Sequence, residues 1–142
     1  MSQVQIVYPM LAMLLLTCIV LMATLRERIA EIKERGLSAR QMPSSSQMCA
    51  MLQNTRAADH YKNLFEMPVF FYALCLALLA TEMVGAGIVA AAWLYVALRI
   101  VHCQIHLGSN RIKYRLRVFA GSTTLLLAMW IAFAVQLALR GT

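Results

Sequence analysis

Charge is what this sequence has least of: Asp, Glu, Lys and Arg together make up 13% of 142 residues, and only six residues are acidic. An ordinary soluble domain carries about a quarter charged residues. With 61% of the chain hydrophobic and a mean hydropathy of +0.68, a water-soluble fold is excluded. Cysteine pairs at metal or redox spacing are missing as well. Cys18, Cys49, Cys75 and Cys103 are scattered, three of them inside apolar stretches where a thiol behaves as a small hydrophobe, so no disulfide framework is expected. There is no internal repeat, no low-complexity tract and no sign of a second domain, and residues 1–142 read as one unit. The 13 basic residues raise the net charge to +7. They flank apolar runs instead of forming a basic face on a soluble scaffold, which argues against nucleic-acid binding and for a role in membrane topology.

What is present is a series of long apolar runs. From Val4 to Leu25 there is no charge. At 1.5 Å per residue that run is about 33 Å long, enough to cross roughly 30 Å of hydrocarbon. It lacks the basic start and small-residue cleavage site of a secretory signal, so it is expected to stay in the mature chain. Spans at about 64–80, 85–107 and 118–139 follow. The sequence therefore predicts an all-α membrane protein with four transmembrane helices in an up-down bundle. The polar stretch from Gln47 to Asn63 contains no helix breaker, so the second helix is predicted to begin in water and run on through Pro68.

Loop charges give an orientation. Residues 26–63 carry seven basic groups, residues 108–117 carry four, and residues 81–84 carry none. Lys and Arg collect on the cytoplasmic side. Both basic loops are expected there, with the N- and C-termini on the non-cytoplasmic side. The first basic loop divides into a charged helical continuation from Arg26 to Arg35, ended by Gly36, and a turn at Pro43-Ser44-Ser45-Ser46.

A charge at the bilayer centre costs about 2.5 to 3.5 kcal/mol on insertion scales, so polar residues inside the spans need a partner or a purpose. The candidates are Glu66, Arg99, His102 and His106. Arg99 lies 14 residues into the third span, about 21 Å deep, and Glu66 lies at the start of the second, so both fall in the cytoplasmic half. Tyr95, Arg99, His102 and His106 are spaced +4, +3 and +4, one stripe of a helix, and Asn63 shares a face with Glu66. Arg115 and Arg117, where the fourth span begins, sit at the same rim. These residues predict a net-positive pocket between helices, open to the cytoplasm and suited to an anionic, water-soluble ligand. Two other readings stand beside it: a buried Glu66–Arg99 ion pair that serves packing alone, and a metal held by His102 and His106 with Glu66 or Cys103. One protomer by itself is expected to leave Arg99 and Glu66 near lipid unless a neighbour covers them.

The order Asn63-x-x-Glu66-x-Pro68, Arg99-x-x-His102-x-x-x-His106 and Asn110-x-x-x-x-Arg115-x-x-x-Phe119 resembles the membrane-associated eicosanoid and glutathione metabolism (MAPEG) family, in particular its small bacterial members. The likeness runs through all four spans. It implies a homotrimer in a bacterial inner membrane, with glutathione as bound cosubstrate between protomers near the cytoplasmic side and a small lipophilic substrate entering from the lipid bilayer. It further implies that Asn63, Glu66, Arg99, His102 and His106 contact glutathione and that Arg115 stabilises its thiolate. Two positions depart from the well-known enzymes: Asp59 stands four residues before the motif Asn where they have Arg, and His106 replaces a frequent tyrosine. The implied activity is that of a glutathione transferase or peroxidase. The alternative is a non-catalytic lipid-binding or scaffold member of the same fold.

The orientation has a direct check. In closed vesicles, an impermeant thiol reagent is expected to label Cys49 from the cytoplasmic face. Labelling from the external face alone would reverse the orientation and the depth assigned to the pocket.

Overall fold

The computed structural model describes residues 3–36, 61–108 and 111–140. A 3-10 turn over Gln3–Ile6 leads into α1 (Val7–Glu34), followed by α2 (Met67–Ala80), α3 (Ala86–Leu107) and α4 (Ile112–Arg140). Four helical segments, Gln3–Glu34, Tyr61–Ala80, Ala86–His106 and Ile112–Arg140, are long and apolar enough to cross a membrane. The protein is an integral, multi-pass membrane protein. Each helix turns one stripe inward at helical spacing: Met13, Leu16 and Val20 on α1, Phe71, Leu74 and Leu78 on α2, Val89, Ala92 and Val96 on α3, and Leu126, Met129 and Phe133 on α4. The opposite faces stay apolar too, as a lipid solvent requires, with Leu15, Leu76, Leu94 and Ile131 exposed.

The backbones of α3 and α4 approach most extensively; α1 packs along α3 and α2, and α2 along α4. Larger side chains fill the space between α2 and α3, where the rings of Phe71 and Tyr95 stack with centroids 4.7 Å apart. Several polar side chains in the helices donate to backbone carbonyls. The Thr17 and Thr24 hydroxyls donate to the carbonyls of Met13 and Val20 at 3.0 and 2.9 Å, and the Trp130 indole donates to the Phe70 carbonyl at 3.3 Å.

The up-down order is fixed at one end of the bundle by side chains that reach the α2–α3 turn. Gln3 donates to the Glu82 carbonyl and accepts from the Val84 N–H, at 3.3 and 3.2 Å. From the other end of the chain, Arg140 donates to the Thr81 carbonyl at 3.0 Å. The turn closes α2 with paired bonds from Glu82 N–H to Leu79 O and from Met83 N–H to Leu78 O, and Glu82 takes the left-handed conformation (φ +55°) usual for glycine at that place. The start of α1, the α2–α3 turn and the end of α4 thus share one end. The end of α1, the start of α2, the end of α3 and the start of α4 share the other.

Two local expectations meet the structure differently. The charged continuation of α1 is helical to Glu34, and Gly36 ends it with φ +61°. The predicted unbroken second helix is not found. Residues 61–63 are helical, but at Leu64 to Glu66 the bonds tighten to Leu64 N–H to Tyr61 O, Phe65 N–H to Lys62 O and Glu66 N–H to Asn63 O, and α2 restarts at Met67. Pro68 explains the break: it has no N–H for the Leu64 carbonyl, and its ring would clash there, whereas in the first turn of a new helix neither matters. The Pro43–Ser46 turn lies outside the described residues.

At Gly108, which ends α3, an added Cβ would stand 2.8 Å from the Gln104 carbonyl oxygen. Gly108→Ala is therefore expected to lower stability by about 1 to 3 kcal/mol, read as a reduced thermal midpoint of the purified protein in detergent.

Candidate functional site

At the end of the bundle away from the chain termini, the starts of α2 and α4 and the end of α3 surround a cleft of about 370 Å³ lined by Lys62, Asn63, Glu66, His102, His106, Ile112, Arg115, Leu116 and Phe119. That volume is at the low end of the roughly 300 to 1,000 Å³ usual for small-molecule sites. The wall from α4 follows from helix geometry, since positions 112, 115, 116 and 119 share one face. Arg117 lies on another face, its guanidinium 6.0 Å from the Tyr114 ring.

The polar stripe of α3 turns into the bundle as its spacing predicts: Tyr95 and Arg99 have no exposed surface, His102 has 2% and His106 has 5%. The ring centroids of His102 and Phe119 are 5.9 Å apart, as are those of His102 and His106. An Arg115 Nη1–H donates to His106 Nε2 at 3.2 Å. Because a guanidinium can only donate, that bond needs the Nε2 lone pair and so an uncharged imidazole with its proton on Nδ1. Arg115 is thereby held at the wall of the cleft.

The two stripes meet at one depth. Arg99 Nη2 donates to the Asn63 side-chain oxygen at 2.6 Å and to its main-chain carbonyl at 3.3 Å, and Asn63 Nδ2 donates to Glu66 Oε2 at 3.2 Å. The direct Glu66–Arg99 ion pair considered from sequence is replaced by this three-residue chain; among the described residues the ion pair is Arg35–Glu31, at 3.1 Å. Of the six predicted site residues, Asn63, Glu66, His102, His106 and Arg115 line the cleft, while Arg99 lies behind Asn63 and reaches the wall only through it. The protomer alone buries Arg99 completely. The sequence-based argument that a neighbouring subunit must cover Arg99 therefore falls, because the residues packed around it belong to its own chain; Glu66 remains exposed.

Sequence reasoning passed over Lys62, Ile112 and Leu116 as lining residues. Lys62 reads only as a topology charge, although its place next to Asn63 in a helical turn was the available signal. Among the described residues no three His, Cys, Asp or Glu side chains gather as metal ligands. Asp59 and Asn110 lie outside the described residues.

A comparison with family profiles matches residues 6–135 to the MAPEG family. The chain belongs to the MAPEG family. That assignment covers nearly the whole chain and all four helices, and it agrees with the apolar four-helix architecture described above. No curated protein and no solved structure matches the chain.

Replacing Arg99 by Ala leaves the part-buried Asn63 Oδ1 without its donor and opens a void behind the cleft. The expected loss is about 3 kcal/mol or more. Arg115→Ala, at a partly exposed position, is expected to lower the thermal midpoint far less. Comparing the two variants in detergent checks the ranking.

Proposed function

We propose that this MAPEG protein binds glutathione in the cleft and uses its thiol against lipophilic electrophiles at the membrane surface. The observation that carries the reading is the charge layout of the cleft: Lys62 and Arg115 supply cations, Glu66 supplies one carboxylate, and Asn63 supplies an amide, all around one cavity. Glutathione has two carboxylates, one ammonium and a thiol, so its net charge opposes that of the wall. Membership of a family whose name includes glutathione metabolism supports the choice.

Arg115 is the residue assigned to the thiol. A thiolate, not a thiol, is the nucleophile, and a permanent cation beside it lowers the thiol pKa without taking up or releasing a proton. The bond to His106 Nε2 limits where the Arg115 guanidinium can go, so its position is set before ligand arrives. The sulfur proton passes to water. The thiolate sulfur then forms a bond to the electrophilic carbon or oxygen of the second substrate, and the displaced group leaves with the electron pair. Apolar Ile112, Leu116 and Phe119 on the same wall are suited to the lipophilic partner.

The same reading places the cleft on the cytoplasmic side of a bacterial inner membrane, where the basic loops belong, and treats the active unit as a homotrimer of single-domain protomers. Exposed Glu66, together with the exposed apolar faces of α1 and α2, leaves surface for a neighbour to cover.

Calorimetry with glutathione and the ultraviolet absorbance of its bound thiolate test the proposal. Native protein is expected to bind glutathione and show the thiolate band. Arg115→Ala is expected to keep the fold and the oligomer mass but lose most of that band. If native protein binds no glutathione, the enzymatic reading falls and a lipid-binding or scaffold role takes its place.

A further inference from the structure

We propose that Arg99 is a positioning residue that does not touch the ligand, and that through Asn63 it aims the Glu66 carboxylate as the acceptor for the ligand's ammonium group. This rests on the glutathione reading above.

A guanidinium only donates, an ionised carboxylate only accepts, and a carboxamide does one at each end. Asn63 stands between Arg99 and Glu66, with Oδ1 taken by Arg99 at 2.6 Å and Nδ2 turned to Glu66 Oε2 at 3.2 Å. The opposite amide orientation would set donor against donor and acceptor against acceptor. Arg99 thus selects one flip of Asn63, and that flip selects where Glu66 Oε2 goes. The amide dipole lies between a positive and a negative group with its favourable ends toward both, which strengthens each bond.

Burial assigns the roles. Arg99 has no exposed surface and is not among the residues that line the cleft, whereas Asn63 and Glu66 are. The second bond from Arg99, to the Asn63 carbonyl at 3.3 Å, ties the backbone of the turn that carries both residues. That turn is the break before Pro68, where tighter bonds to the third residue back replace the α-helical ladder. Glu66 is the one acidic side chain among the lining residues, so a ligand ammonium has a single anionic partner there. An unrestrained Glu would give up rotamer freedom on capturing it; the relay removes that cost beforehand.

The test uses the full chain in detergent and two readouts. The first is the affinity for glutathione and for the analogue in which hydrogen replaces the ammonium group. Native protein is expected to prefer glutathione by about tenfold, the scale of one charge-assisted hydrogen bond. Glu66→Gln and Arg99→Met are each expected to abolish that preference while leaving affinity for the analogue within about twofold. The double variant should resemble either single one, because both break the same chain. Arg99→Lys, which keeps a cationic donor, should regain part of the preference, and it carries the comparison if Arg99→Met does not assemble.

The second readout needs no ligand. The sequence has three asparagines, Asn54, Asn63 and Asn110, so selective 15N labelling of asparagine gives three side-chain amide pairs to follow by NMR. The Asn63 pair should shift in both Arg99→Met and Glu66→Gln. Equal weakening of both ligands in Arg99→Met, additivity in the double variant, or unmoved Asn63 signals would each overturn the proposal. If native protein binds neither ligand, the glutathione reading fails, and the amide signals alone decide whether the relay exists.

Discussion

A cation that cannot lose its charge, enclosed in a bundle built to sit in hydrocarbon, is the constraint around which the polar end of this protein is arranged. Arg99 has no access to water, and a buried charge is costly unless oxygens accept from it. Asn63 supplies two of them because the chain just before Pro68 is not regular helix. In the tightened turn the Asn63 carbonyl accepts both the Glu66 N–H, at 3.4 Å, and the Arg99 guanidinium, at 3.3 Å. The break before one proline thus sits beside one arginine, and the arginine in turn bonds to the backbone of that break.

The two ends of the bundle are built on different principles. At the far end, Gln3 and Arg140 pin a tight turn through backbone groups, beside an open cavity that Glu82 and Arg140 line with Met83, Val84 and Leu139. At the cleft end, side chains bond to side chains: Arg99 to Asn63, Asn63 to Glu66 and Arg115 to His106. Such networks are costly to build within a low-dielectric medium and specific once complete.

Much of this was legible in residues. The four spans show in the charge-free runs, and the inward stripe of α3 shows in the +4, +3, +4 spacing of Tyr95, Arg99, His102 and His106, because both depend only on local composition and helical period. The helix boundaries were less legible. The fourth helix begins at Ile112, not near 118, since basic residues end a hydrophobic span without ending a helix. The break at Leu64 to Glu66 is not legible in the sequence because proline in a membrane helix is tolerated in either of two ways, inside a continuing helix or in the first turn of a new one. The place of Asn63 between Glu66 and Arg99 was hidden for a related reason. Spacing puts residues on a face, but which of two polar neighbours stands in front depends on helix rotation and separation. Glu82 gave no warning of its left-handed conformation, for which glycine would have been the usual signal.

The clamps at the far end have a practical side. Gln3 and Arg140 both reach the same turn, so the first and last described residues leave the bundle close together and away from the cleft. A fluorescent reporter or affinity handle joined at either end would stand at the opposite end of the bundle from the cleft. Two such reporters on one chain would be near enough to exchange energy, and their signal would follow the integrity of the α2–α3 turn without obstructing the cleft.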